Sequence, residues 1–130
     1  MDYNTNLEFC IKWLKTWTGN TPEKLIEFYS KNCYYQDPAN PEGLKGKNEL
    51  YRYFEKLLAA NPNWKWELEE FYETEKGFIL KWKANIPIYN DNLVEFGMDI
   101  VEINDDQKII RNEVYFDRSK LLELLNKKDS

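Results

Sequence analysis

The chain has 130 residues, 42% hydrophobic and 16% aromatic, with seven Phe, nine Tyr and five Trp, which is one domain with bulk enough to pack an interior and line a cavity, and which excludes a disordered chain. Its formal charge is −5 and its lysines are dispersed among Glu and Asp, so no basic stripe offers itself to nucleic acid. No apolar run approaches the roughly 20 residues needed to span a bilayer, and the opening MDYNTNLEF has no basic segment leading into an apolar one; the expectation is a soluble, cytoplasmic protein.

In chain order, Leu7, Cys10, Ile11, Trp13, Leu14 and Trp17 recur at helical spacing, and Gly19 with Asn20 stops that helix. Thr21-Pro22-Glu23 reads as an N-cap with proline at the first helical position, opening a second helix whose buried face is Leu25, Ile26, Phe28 and Tyr29. Cys33 to Asp37 is a short strand, closed by Pro38 and a loop holding Pro41, Gly43 and Gly46. A third helix is expected from Asn48 to Ala60, with Leu50, Tyr51, Phe54, Leu57 and Leu58 inward and Asn61-Pro62 at its end.

The second half alternates with a period of two. Trp64, Trp66 and Leu68 form one arm of a hairpin, Glu75-Lys76-Gly77 its turn, and Phe78, Leu80, Trp82, Ala84 and Ile86 the other arm. A second pair of strands runs from Leu93 to Ile103 and from Lys108 to Asp117, and a short helix from Arg118 to Leu125 ends the pattern. Val94, Phe96, Met98 and Ile100 share one strand face while Val101 and Ile103 share the other, so both faces need cover. Helices can cover one; a second copy of the chain through the convex face is the expected cover for the other.

The chemistry-bearing residues are few. The chain has no histidine, which removes Ser-His-Asp and Cys-His nucleophilic systems and the usual imidazole metal ligands. Cys10 and Cys33 read as two buried free thiols, with no second pair to make a zinc site. Proton transfer must then use carboxylates, Tyr or Lys. Asp99 lies in an otherwise apolar strand, where a carboxyl must be exposed, paired or abnormal in its titration. Asp37 lies in YYQDP, among aromatics and before a proline. GLKGKN lacks the spacing of a phosphate-binding loop and reads as a turn and helix start.

The order of helix, helix, YYQDP, Gly46 before a third helix, a long hairpin, then GMDIVEIN, KII and YFD resembles the SnoaL-like, ketosteroid-isomerase-like group of the nuclear transport factor 2 superfamily, over about residues 7 to 125. The resemblance implies one α+β domain spanning 1–130: a cone in which a curved, mixed but mainly antiparallel sheet wraps a long helix and leaves a pocket at the open end. It implies a lining of Trp13, Trp17, Tyr35, Phe54, Leu58, Trp82, Ala84, Asn112, Val114 and Phe116. The superfamily includes ketosteroid isomerases, polyketide cyclases, epoxide hydrolases, dehydratases, transport factors and members that only bind.

Carried across, the isomerase pattern gives Asp37 the place of the proton-abstracting base and Asp99 that of a protonated carboxyl donating a hydrogen bond to the developing oxyanion. Trp13 stands where those enzymes have an oxyanion-binding Tyr, and an indole N–H is a donor that does not readily pass its proton on. Epoxide hydrolases need an Asp-Arg-Asp arrangement, whereas Arg111 here has the parity of Glu113 and Tyr115, opposite to the inward set Asn112, Val114 and Phe116. Each candidate also has a structural reading: Asp37 as a turn residue accepting backbone N–H bonds, Asp99 as a polar group satisfied by Trp13 or a Tyr hydroxyl, and the tryptophans as core. The expected function is binding of a small hydrophobic carbonyl compound with cofactor-free, metal-free isomerase or cyclase proton transfer by Asp37 and Asp99. The alternative is a non-catalytic binding domain of the same fold.

Overall fold

Residues 2–128 are described by the structure, a computed structural model. In chain order the elements are α1 (Tyr3–Lys15), α2 (Pro22–Ile26), β1 (Tyr29–Asp37), β2 (Asn40–Lys45), α3 (Lys47–Ala60), β3 (Lys65–Thr74), β4 (Gly77–Ile88), β5 (Asp91–Ile103), β6 (Ile109–Tyr115) and α4 (Ser119–Lys128). The strands make one open, curved six-stranded sheet in the order β2-β1-β6-β5-β4-β3. Every neighbour pair is antiparallel except β1 and β6, which run parallel. A parallel pair cannot be closed by a tight turn, and here the whole stretch from β2 to β5 is its crossover.

Period-two alternation puts one face of each central strand into the cone. On β4, Phe78, Leu80, Trp82, Ala84 and Ile86 are buried; on β5, Leu93, Gly97, Asp99 and Val101 are buried. The helices meet that face with Cys10, Trp13 and Leu14 from α1 and Leu50, Phe54 and Leu58 from α3. Aromatic edges lock the two layers: Trp13 stands edge-on to Phe78 with ring centroids 6.3 Å apart, and Phe54 packs against Trp17 at 5.1 Å and Tyr29 at 5.4 Å. Cys10 and Cys33 are free and buried, and burial pushes the Cys10 thiol up to about 12, so neither is a nucleophile.

Some details differ from the sequence reading, and at Tyr29 and Pro41–Gly46 the reason is that sheet pairing outweighs local pattern. Tyr29 is not on α2: it opens β1 and pairs with Ile109 of β6, so the strand starts four residues before Cys33. The Pro41–Gly46 stretch is mostly strand β2, paired back on β1 through Tyr35 and Leu44. Gly43, at φ 86°, permits this because a Cβ there would collide with the Tyr34 ring. Trp17 lies beyond the end of α1, in the turn that leads to Gly19. Finally β3 continues to Thr74, its register slipping between Leu68 and Glu70 so that Phe71 points inward after the slip.

On the opposite sheet face Val94, Phe96, Met98 and Tyr115 are 40–49% exposed. Arg111 lies there too, ion-paired to Glu102 at 3.1 Å and to Glu113, with the outward parity read from the sequence. Among the described residues no helix is long and apolar enough to cross a membrane.

Candidate active site

Asp37 ends β1, and its position is built by a tight turn. Asp37 pairs with Asn40 across Pro38-Ala39, and its Oδ1 accepts from the backbone N–H of Ala39 at 3.0 Å, the backbone N–H of Asn40 at 2.8 Å and Asn40 Nδ2 at 2.8 Å. Its Oδ2 accepts from the Tyr35 hydroxyl at 2.8 Å and the Tyr53 hydroxyl at 2.5 Å. Burial, then the adjacent Asp37 charge, drives the Tyr35 phenol well above its ordinary range; burial and the Asp37 hydrogen bond do the same to Tyr53. Both therefore remain donors at any ordinary pH. Five donors on two oxygens saturate a carboxylate.

Asp99 lies on the inward face of β5, opposite Leu80 on β4 and Val114 on β6. Its Oδ1 accepts from Trp82 Nε1 at 2.7 Å and its Oδ2 from Asn112 Nδ2 at 3.0 Å. Gly97 makes the first bond possible. It faces Trp82 across the β4–β5 ladder, and a Cβ there would collide with the indole and stand 2.8 Å from the Phe116 Cβ. The bare backbone lets the ring lie across β5 and reach Asp99.

A second chain of hydrogen bonds orients Asn112. Trp13 Nε1 donates to the Tyr29 hydroxyl at 3.2 Å, and that hydroxyl donates to Asn112 Oδ1 at 2.8 Å. The amide nitrogen is thereby turned toward Asp99. Burial pushes the Asp99 carboxyl up to about 7; the Asn112 and Trp82 bonds pull the other way, and the Asp37 charge adds a smaller upward push. Burial, rather than a shared proton between the two carboxyls, dominates.

Between these groups lies a cavity of about 200 Å³, larger than the roughly 150 Å³ apolar cavity that admits benzene. Of the residues expected to line it, Trp17, Tyr35, Leu58, Trp82, Val114 and Phe116 do so, with Asp37 and Asp99 in the wall. Trp13, Phe54, Ala84 and Asn112 do not: all four are fully buried behind the wall. Trp13 in particular spends its N–H on Tyr29, and the indole that reaches Asp99 belongs to Trp82.

Several wall residues escaped the sequence reading. Tyr53 and Leu57 lie four apart on α3, a helical stripe that was visible, but Tyr53 does not sit on the main apolar face. Trp64 and Trp66 bring the open end of β3, and Leu121, Leu122 and Leu125 of α4 cover the mouth with Arg118 just before them. The 121/125 spacing was a legible helical signal; what it packs on was not. Trp66 Nε1 is buried without a hydrogen-bond partner among the described residues, its ring edge-on to Trp82 at 4.9 Å.

A curved, open six-stranded sheet wrapped around helices is the architecture of the nuclear transport factor 2-like α+β cones. Residues 11–112 match the SnoaL-like domain, and the chain belongs to that family. Its fold is shared with a Shewanella putrefaciens CN-32 protein assigned as a SnoaL-like polyketide cyclase, at TM-score 0.80 and 10% identity over 95% of this chain and 86% of that one. It is shared also with a hypothetical protein of ketosteroid isomerase-like fold from Catenulispora acidiphila DSM 44928, solved with trimethylamine, at TM-score 0.78 and 16% identity over 90% and 91%. The epoxide hydrolase/cyclase-like enzyme SalBIII, which acts in pyran ring formation in salinomycin, aligns at TM-score 0.76 and 15% identity over 89% and 93%. No curated protein sequence matches the chain significantly.

Proposed function

We propose that the chain binds a small hydrophobic carbonyl compound in the cone and exchanges a proton with it, without cofactor, in an isomerase- or cyclase-type step. The observation that carries this is the hydrogen-bonding of Asp99. Both of its partners, Trp82 Nε1 and Asn112 Nδ2, are N–H donors, so a protonated Asp99 has no acceptor among them for its own O–H. The acceptor it lacks is an oxygen of the ligand. A carboxyl near 7 is half protonated at neutral pH, the range in which a general acid or base works best. As an enolate forms, the Asp99 O–H strengthens its hydrogen bond to the oxygen that gains charge.

Asp37 is the candidate base on this reading. Its two oxygens accept five hydrogen bonds, so it can take a proton only if the ligand displaces a donor; of the two phenols in the cavity wall that donate to it, Tyr53 is the less buried and the readier to yield. That same saturation favours the second reading, a non-catalytic binding domain in which Asp37 fixes the β1–β2 turn.

The test uses a cyclic β,γ-unsaturated ketone in deuterated buffer, following conjugation by ultraviolet absorbance and deuterium uptake by mass. The expected result is catalysed conjugation with label, reduced about 100-fold or more in Asp99→Asn and abolished in Asp37→Asn while the ketone still binds. Binding without exchange in the unaltered protein establishes the second reading. Absence of binding overturns both.

A further inference from the structure

Arg118 stands out at the mouth of the cavity. It is the one cationic residue bordering it among the described residues, it is half-buried, and its guanidinium makes no ion pair among them. The neighbouring groups do not consume it. Asp37, in the same wall, is already saturated by Tyr35, Tyr53, Ala39 and Asn40. Tyr53 feels the Arg118 charge, which tends to lower its phenol pKa, but that phenol donates to Asp37 and offers the guanidinium no anionic oxygen.

A guanidinium is charged at every ordinary pH and carries five N–H donors in a planar fork. An apolar ligand that fills the cavity strips water from it and returns nothing, which costs free energy for a desolvated, unpaired charge. A carboxylate on the ligand removes that cost and adds a two-pronged charged hydrogen bond. Deepening the binding reading above, on which it rests, we infer that Arg118 selects ligands bearing a carboxylate at the end facing the mouth, their apolar body lying among Trp17, Trp82 and Phe116 and their carbonyl toward Asp99. Within the carbonyl compounds proposed above, the preferred class is then a small aromatic or alicyclic one that also bears a carboxylate, with a neutral ketone a weaker ligand. The positive charge at the mouth and the protonatable carboxyl within it divide the work: Arg118 sets orientation and Asp99 meets the reacting oxygen.

The test is a calorimetric titration at about pH 6, where an ordinary carboxylate of pKa about 4 is ionised, with trans-cinnamate and its neutral counterpart cinnamamide. The expected result is at least tenfold tighter binding of cinnamate. Arg118→Gln loses that tenfold preference with cinnamamide affinity unchanged, and Arg118→Lys retains part of it. Equal affinities in the unaltered protein, or an equal loss of both probes in Arg118→Gln, overturn the charge selection and leave the binding cavity standing. Binding of neither probe overturns the cavity reading and this inference with it.

Discussion

Replacing Asp99 by Asn isolates the energetic consequence of burying this carboxyl. Its pKa rises from 3.8 to about 7 on folding, so between those values the folded state binds the proton that the unfolded state has released. Stability then falls as pH rises through this window: no penalty below the unfolded value, the whole penalty above the folded one. With about 1.4 kcal/mol for each pH interval of one, the full effect is about 4 kcal/mol, of which about 3 falls between about pH 5 and pH 8. Asn cannot ionise, so its chain lacks this slope. An amide also seats less well than a carboxylate against the N–H groups of Trp82 and Asn112, but that cost does not vary with pH and drops out of the comparison. Urea unfolding of both proteins at the two pH values reads the difference directly: the parent should lose about 3 kcal/mol more than Asp99→Asn, or about 10 °C in Tm for a chain of this length. Parallel pH profiles would refute the claim that Asp99 is buried with its proton.

Two further outcomes follow from neighbouring residues. Gly97→Ala places a methyl group against the Trp82 indole; it should cost about 1–3 kcal/mol by overpacking and, by pulling Trp82 Nε1 off Asp99, move the Asp99 titration upward, as Trp82→Phe should without the clash, both followed by carboxyl nuclear magnetic resonance. On the outer face, Val94, Phe96, Met98 and Tyr115 form an exposed apolar strip that we expect a second copy to cover, giving twice the 15.7 kDa chain mass by light scattering; Phe96→Asp should return the single-chain mass, and a monomeric parent at micromolar concentration removes this expectation.

The fold was legible because its signals are periodic and local. Alternation from Trp64 to Ile86 and from Leu93 to Val114 gave the strands and sorted their side chains onto two faces, Asp99 with Val101 and Val114 with Phe116; the family resemblance supplied which face turns inward. What alternation cannot carry is which strand lies beside which. The parallel β1–β6 pair joins residues about 80 positions apart, and from it follow the start of β1 at Tyr29 and the Tyr29–Asn112 bond. The resemblance, which carries inward direction but not this bond, therefore counted Asn112 as cavity wall, when the Tyr29 hydroxyl from β1 holds it behind Asp99 as a brace.

The same limit explains the exchange of tryptophans. Trp13 and Trp82 both project into the cone, and sequence offers no measure of which indole reaches Asp99. The answer lies in an absence, the missing side chain at Gly97, which opens the surface of β5 to the Trp82 indole. That links a glycine to a titration: Gly97 admits the indole, the indole and the Tyr29-braced Asn112 supply two N–H donors to Asp99, and on the proposed function its proton is left for an oxygen of the ligand. Asp37 shows the converse. Its DP motif marks a turn whose N–H groups and two tyrosines occupy both oxygens, so of two acidic residues in apolar settings, Asp99 alone keeps hydrogen-bonding capacity for a ligand.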